Sequence, residues 1–367
     1  MRRIILALLC AATFFCPLST SAKPKVPSER KMAGYVMVYH KDADHGLHMA
    51  YSWDGYTWTA LNSDHPVIAG DTIAVQKGIR DPYIFRNPKD GAFLLAMTDL
   101  HVFGQRDGVR TTEWERDGKL YDWGNNRGLV LLRSTDLIHW TRTNLDFSAL
   151  TYPTGEVDAE GKPVSWKDVG CVWAPEMVFD EERQQVMLHF TTRFFRSRNH
   201  IRYVYMNDDF TAMVSEPKFL FSAPRDENGN LRSNMIDSDI TKIGSTYHLF
   251  STENGHPCHS TSTRLTGPYT IDAAFSDSLG AVHEAPTIWK LIGQQKWILM
   301  QDCYSMKPHN FYFCETTDFR TFHPLGYFDD GHCPMHRTNF SEQKHGAVVQ
   351  VTKKELKRLI TYWETKR

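Results

Sequence analysis

The sequence predicts an all-β chain folded as a five-bladed β-propeller, its ring closed where N- and C-terminal strands share one blade. Three observations carry that expectation. Short runs rich in Val, Ile, Tyr, Phe and Thr recur between Gly, Asp, Asn and Pro punctuation, while long amphipathic helical patterns are nearly absent. Two kinds of segment repeat, each five times along the chain. The two kinds alternate, as copies of one supersecondary unit do.

The first kind is a polar turn followed by an aromatic. It reads Ser52-Trp53-Asp54-Gly55-Tyr56-Thr57-Trp58, then Ser134-Thr135-Asp136-Leu137-Ile138-His139-Trp140, and later Thr316-Thr317-Asp318-Phe319-Arg320-Thr321-Phe322. Looser copies are Asn207-Asp208-Asp209-Phe210 and Ser262 to Tyr269. In each, a short polar side chain can bond the turn backbone, and the aromatic that follows packs between sheets. Trp58, Trp140 and Phe322 are therefore read as structural.

The second kind starts at an ionisable residue and continues into a hairpin. Asp81-Pro82-Tyr83-Ile84-Phe85 returns through Phe93 to Thr98, and Asp237-Ser238-Asp239-Ile240 returns through Tyr247 to Phe250. The others are Glu176-Met177-Val178-Phe179-Asp180, Glu284-Ala285-Pro286-Thr287-Ile288 with its return at Trp297, and His345-Gly346-Ala347-Val348-Val349.

Radial repetition closes an all-β chain without long exposed edges, so five copies argue for five blades. Each blade would take about 69 residues, more than the roughly 40 to 50 of compact repeats, so several carry long loops. The clearest run from His101 to Arg127 and from Thr151 to Val169. A turn motif at Asp54 precedes any inner hairpin, and the last hairpin strand, at His345, has none after it. The two ends are expected to complete one blade.

Met1, Arg2 and Arg3, the apolar run Ile4 to Cys16, and the small residues Thr20, Ser21 and Ala22 have the order of a secretory signal peptide. Residues 1–22 are thus expected to be removed and 23–367 to form a single propeller domain. Cys16 leaves a lipid-anchored lipoprotein as the alternative. Either way the destination is outside the cytoplasm, periplasmic or extracellular. No later segment nears the roughly 20 apolar residues of a membrane-spanning helix. With 42 basic and 43 acidic residues there is no broad positive field, which argues against nucleic acid and anionic membranes as partners. A neutral ligand fits better, and the aromatics permit stacking on sugar rings. Oligomeric state is not set by these features. Beyond Cys10 and Cys16, the widely spaced Cys171, Cys258, Cys303, Cys314 and Cys333 lack metal-ligand pairs and are expected as buried thiols, with Cys303–Cys314 across a hairpin as the one plausible bridge.

Innermost propeller strands run alongside the central channel, so their starts converge on one mouth. Here those starts are Asp81, Glu176, Asp237, Glu284 and His345, four of the five acidic at what reads as one register. Like charges held close repel unless one takes up a proton or a function requires them. Glycoside cleavage requires a carboxylic acid to protonate the leaving oxygen and a carboxylate to attack or to activate water. A third carboxylate nearby raises the acid's affinity for its proton.

Gly78-Ile79-Arg80-Asp81-Pro82, Trp173-Ala174-Pro175-Glu176, Ile236-Asp237, Glu284-Ala285-Pro286-Thr287 and His345-Gly346 resemble the successive blade motifs of glycoside hydrolase family 43. The resemblance spans nearly the whole mature chain. It implies a five-bladed propeller, an inverting mechanism, and activity on arabinofuranosyl, xylosyl or related linkages of plant polysaccharides; the long loops, which could wall in a pocket, suggest exo action. By that similarity Asp81 would be the general base, Asp237 the modulator of the acid's pKa, and Glu284 the general acid. Alanine follows Glu284 where the family usually has glycine. Asp239 shares a strand face with Asp237, which leaves a shifted register open. Glu176 would have a binding or structural role. His345 resembles a histidine that in some relatives helps hold a water-coordinated calcium; no other cofactor is implied. Trp173 is a candidate wall of the sugar pocket or a core residue, and His283 and Tyr304 flank the Glu284 hairpin. Arg193, Arg196, Arg198 and Arg202 read as a solvated basic face, from which Arg193 could reach a hydroxyl or carboxylate. Related propellers acting on fructosides or galactosides, and a non-catalytic glycan-binding propeller, are the alternatives.

Overall fold

The computed structural model describes residues 26–104, 106–108, 122–158, 160–194, 198–221, 235–278 and 283–366. The segment 1–22 read as a signal peptide, most of the first long loop and Arg196 lie outside them. Strands β1 (Met32–His40), β2 (His48–Ser52) and β3 (Thr57–Ala60) open the chain. Four four-stranded antiparallel sheets follow, each built in sequence order. They are β4–β7 (Ile79–Arg86, Phe93–Asp99, Gly128–Ser134, Thr141–Asp146) and β8–β11 (Val169–Asp180, Gln185–Phe194, His200–Tyr205, Lys218–Phe221). Next come β12–β15 (Met235–Ile243, Thr246–Glu253, His256–Ser262, Thr270–Ile271) and β16–β19 (Glu284–Lys290, Trp297–Cys303, Asn310–Thr316, His323–Tyr327). Finally β20 (His336–Arg337) lies parallel to β3, and β21 (Lys344–Thr352) pairs with β1. The sheet order β20-β3-β2-β1-β21 is the expected closure, with the C-terminal strand innermost.

The innermost strands β4, β8, β12, β16 and β21 touch one another around the ring. Each seam between blades holds its own apolar cluster: Val38, Leu95 and Met97 in one, Leu131 and Leu188 in the next, then Met187 and Leu249, Phe250 and Leu299, and Met37 and Phe313. Burial between sheets rather than within one sheet is what holds the blades radially.

The repeated turns work as their side chains suggest. Asp54, Asp136 and Asp318 each accept two backbone N–H bonds of 2.8 to 2.9 Å from the residues two and three further on. A Ser or Thr hydroxyl two residues earlier accepts the N–H of Gly55, Leu137 and Phe319, all at positive φ. Trp58 is fully buried against Trp289, with ring centroids 6.2 Å apart. Trp58→Ala is expected to cost about 3–5 kcal/mol, the range for emptying a large aromatic site, read as a lowered urea midpoint; a change under about 1 kcal/mol would contradict a structural role.

Two features depart from the sequence reading. The segment Lys353–Thr365 is a helix, with Thr352 and Glu355 forming a reciprocal capping box and Leu356 and Leu359 buried on the closing blade. Glu355 also pairs with Arg86 at 2.6 Å, tying the helix to the neighbouring blade. Arg202 is not on a solvated face. It is buried and paired with Glu156 at 2.7 Å, because an adjacent loop carries a carboxylate inward to meet it. The five described cysteines are buried free thiols, Cys303 and Cys314 included.

Candidate active site

Every innermost strand breaks its ladder near its start, and the break sets the site. The residue at the break has positive φ in all five strands: Asp81 (51°), Ala174 (45°), Asp237 (53°), Ala285 (53°) and His345 (39°). None is glycine. Non-glycine residues held there cost of order 1–3 kcal/mol each and persist only where surroundings over-determine them.

The surroundings here form a fivefold lock. The residue before each kink pairs with the adjacent strand of its own blade, Arg80 with Thr98, Trp173 with Thr191, Ile236 with Thr252, Glu284 with Asp302 and, across the ring closure, Lys344 with His40. Each of those partners then accepts the N–H of the kinked residue of the next blade. Ala174 donates to Thr98 Oγ1 (2.9 Å), Asp237 to Thr191 Oγ1 (3.2 Å), Ala285 to Thr252 Oγ1 (3.1 Å), His345 to Asp302 Oδ2 (3.1 Å) and Asp81 to His40 Nδ1 (3.2 Å). Side-chain acceptors thus satisfy N–H groups that the bulges free from the ladder. Ala285 tolerates a backbone that suits glycine because both Thr252 and Asp237 Oδ2 (3.3 Å) take its N–H.

This geometry corrects the single register read from sequence. Equivalent positions are Asp81, Ala174, Asp237, Ala285 and His345; Glu284 lies one residue before the kink and Glu176 two after. A cavity of about 320 Å³ is lined by Asp81, Asp237, Glu284 and His345, together with Trp173 and Tyr304. Glu176 is not at that surface. It is buried further along the channel, where burial and then the charges of Asp239, Asp237 and Asp81 push its pKa well up, which favours a neutral acid. Asp239 also lies deeper. It accepts from Tyr83 Oη (3.2 Å), Thr287 Oγ1 (3.1 Å) and the Ile288 N–H (2.7 Å), which assigns it to joining blades and leaves Asp237 facing the cavity.

Two further candidates fall elsewhere. His283 is buried, its ring stacked on Tyr312 at 4.7 Å, because strand alternation turns it to the face opposite Glu284. Arg193 lies over Trp173, 5.3 Å from the ring centroid, and supports that wall without lining the cavity.

The carboxylates at the cavity differ in environment. Asp81 Oδ2 accepts from Thr98 Oγ1 at 2.7 Å, and Oδ1 faces His345 Nδ1 at 3.4 Å. Burial, then the Asp81 charge, pushes Asp237 up to about 8. Burial, followed by the charges of Asp302 and Asp237, raises Glu284 well above the usual carboxylate range, with Lys344 opposing. Burial lowers His345 to about 4, keeping the imidazole neutral. The charges acting on His345 are those of Asp81, Arg80 and Lys344, and no group of three or more acidic, His or Cys side chains among the described residues is arranged to hold a metal, so a calcium beside His345 would draw most of its six to eight oxygen ligands from water.

Four contributors escaped sequence reading. Arg80 and Lys344 line the cavity at the position before the kink, and Trp123 reaches it from the first long loop. Asp302 is the fourth. Three of the five lock positions are threonine, so the carboxylate opposite Glu284 was visible as an exception once the hairpin returns were aligned.

A five-bladed propeller that gathers three carboxyl groups at one end of its channel, two of them with proton affinity raised first by burial, has the architecture of a propeller glycoside hydrolase. A family model described as a probable glycosyl hydrolase domain, of the group related to glycoside hydrolase family 43, matches residues 30–357. The chain belongs to that family. It is 25% identical over 206 residues to an α-L-arabinofuranosidase of Bifidobacterium longum subsp. longum, covering 54% of this chain and only 17% of that relative's length. The fold is similar to an endo-1,4-β-xylanase of Bacteroides thetaiotaomicron (TM-score 0.53, 14% identity, 80% of this chain and 91% of that one). It is also similar to an α-L-arabinanase of Cellvibrio cellulosa (TM-score 0.51, 13% identity, 83% and 96%).

Proposed function

We propose that the chain is an exported, inverting glycoside hydrolase that removes α-L-arabinofuranosyl or β-xylosyl residues from plant-type polysaccharides or oligosaccharides. The observation that carries this reading is the meeting of Asp81, Asp237 and Glu284 in one cavity, two of them with raised proton affinity. Glu284, protonated, gives its proton to the glycosidic oxygen as the bond to the anomeric carbon breaks. Asp81, ionised, takes a proton from a water that attacks that carbon from the opposite side. Thr98 and the neutral His345 orient Asp81, and Asp237 keeps the proton on Glu284 through its position and, when ionised, its charge. Solvent then exchanges with both carboxyls to restore the starting state. Export rests on the N-terminal sequence.

The test is a hydrolysis screen over arabinosyl, xylosyl, galactosyl and fructosyl substrates. Release of arabinose or xylose is expected; no release from any of them would overturn the reading.

Asp302 acts on this reaction through Glu284. It is the largest charge raising the proton affinity of that acid, so removing it makes Glu284 easier to ionise. Because the acid works only while protonated, activity is present below its pKa and lost as pH rises through it. Asp302→Asn should therefore move the alkaline limb of the kcat/KM profile to lower pH. Lys344→Met, which removes an opposing charge, should move it to higher pH. An alkaline limb that stays put in both variants would show that neither residue tunes the acid.

A further inference from the structure

The cavity has an aromatic edge that the acid and base do not use. Trp123 is 50% exposed, yet it also lines the cavity that holds Asp237, which is 5% exposed. That contrast places Trp123 at the rim and the carboxylates at the floor. The indole does not owe its exposure to a loose tether. Asp122 Oδ1 accepts the Gly124 N–H (2.8 Å), and the Asn125 N–H closes the turn onto the Asp122 carbonyl (3.1 Å). The next residue, Asn126, is fully buried: its side chain accepts the Val172 N–H (2.5 Å) and donates to the carbonyls of Asp99 and Gly128 (2.8 and 2.9 Å). The ring is held as well, with the Arg80 guanidinium 4.7 Å from its centroid and Trp173 meeting it edge-on at 6.2 Å and 78°. A large apolar side chain fixed in position and left half in water gains less from burial than an inward-turned one would. Its fixed, open surface is suited to a flat ligand with an apolar face.

We propose that Trp123 is the platform of a leaving-group subsite, which stacks on the apolar face of the sugar ring to which the cleaved residue is attached. The subsite is continuous with the catalytic cavity, and the inference rests on the glycosidase reading of that cavity. It makes the preferred substrate an oligosaccharide or polysaccharide branch with a sugar leaving group. Binding there is remote from the bond that breaks, so its value depends on the leaving group being a ring.

The test compares Trp123→Ala and Trp123→Phe on two substrates with the same glycone. One is the oligosaccharide cleaved in the screen; the other is the glycosyl fluoride, whose leaving group has no ring to stack. Trp123→Ala is expected to lower kcat/KM for the oligosaccharide at least about fivefold more than for the fluoride, mainly through KM, and Trp123→Phe to recover most of the loss. Equal losses on both substrates would mark Trp123 as structural support and overturn the subsite, as would no loss on either. If the wild-type chain cleaves neither substrate, calorimetric titration with xylo- and arabino-oligosaccharides separates the two ideas. Weaker binding in Trp123→Ala would sustain the subsite while the glycosidase reading falls; no Trp123-dependent binding would overturn both.

Discussion

Glu284→Gln is expected to slow hydrolysis of oligosaccharides by about 10²- to 10⁴-fold, the range for loss of a general acid, with a far smaller loss on 2,4-dinitrophenyl glycosides. A sugar alkoxide is a poor leaving group and departs only with a proton, whereas dinitrophenolate departs without one. Glutamine is close in shape to the protonated acid that burial and the Asp302 and Asp237 charges favour. The replacement thus removes the proton and little else, and thermal stability should hold or rise, since a carboxylate that resists ionisation in the fold is gone. Steady-state kinetics on the two substrate types gives the answer. Equal losses on both would contradict the assignment of Glu284 as acid.

Asp81→Asn should give the other pattern, a loss of at least about 10³-fold on both substrate types, within the range for a general base. Activated aglycones do not help, because water still has to be deprotonated as it attacks. The backbone argues against a folding artefact. Asparagine adopts positive φ more readily than most residues, so the 51° at position 81 stays accessible. Its amide oxygen can keep the bond that Thr98 Oγ1 donates at 2.7 Å. A variant that retained activity on dinitrophenyl glycosides would require another group to activate water.

Much of the fold is legible in the sequence because its devices are local. The turn at Ser52–Trp58 is a self-contained set of side-chain-to-backbone bonds, and copies of it read alike wherever they occur. The order of hairpins and the sharing of one blade by the two chain ends follow from counting those copies. The kinks are not legible in the same way. A residue before proline reads as extended, yet Asp81, Ala174 and Ala285 precede prolines and adopt positive φ. Their conformation is imposed by acceptors on another blade, such as Thr98 for Ala174. Without the kinks, Glu176 and Glu284 appear level with Asp81, and the channel and cavity carboxylates cannot be told apart. His283 misleads for a related reason, since adjacency to Glu284 in the chain means the opposite face of the strand. Lys344 meets the acid only through closure of the ring, Asp302 meets it through the register of its own hairpin, and Trp123 arrives from a loop whose path has no periodic signal. The terminal helix does carry Leu356, Leu359, Ile360 and Trp363 at helical spacing, and docking that face on the closing blade holds it; its signal is present in the sequence and is easily passed over among the strand repeats.

Water activated by one carboxylate and a leaving group protonated by another require attack from the face opposite the broken bond. Proton NMR recorded during the first turnovers, before the released sugar equilibrates, reads the anomer formed. An arabinofuranosyl or xylosyl substrate should yield product of inverted configuration first. Initial release of the retained anomer would mean that an enzyme carboxylate attacks carbon directly, and the roles given to Asp81 and Glu284 would be wrong.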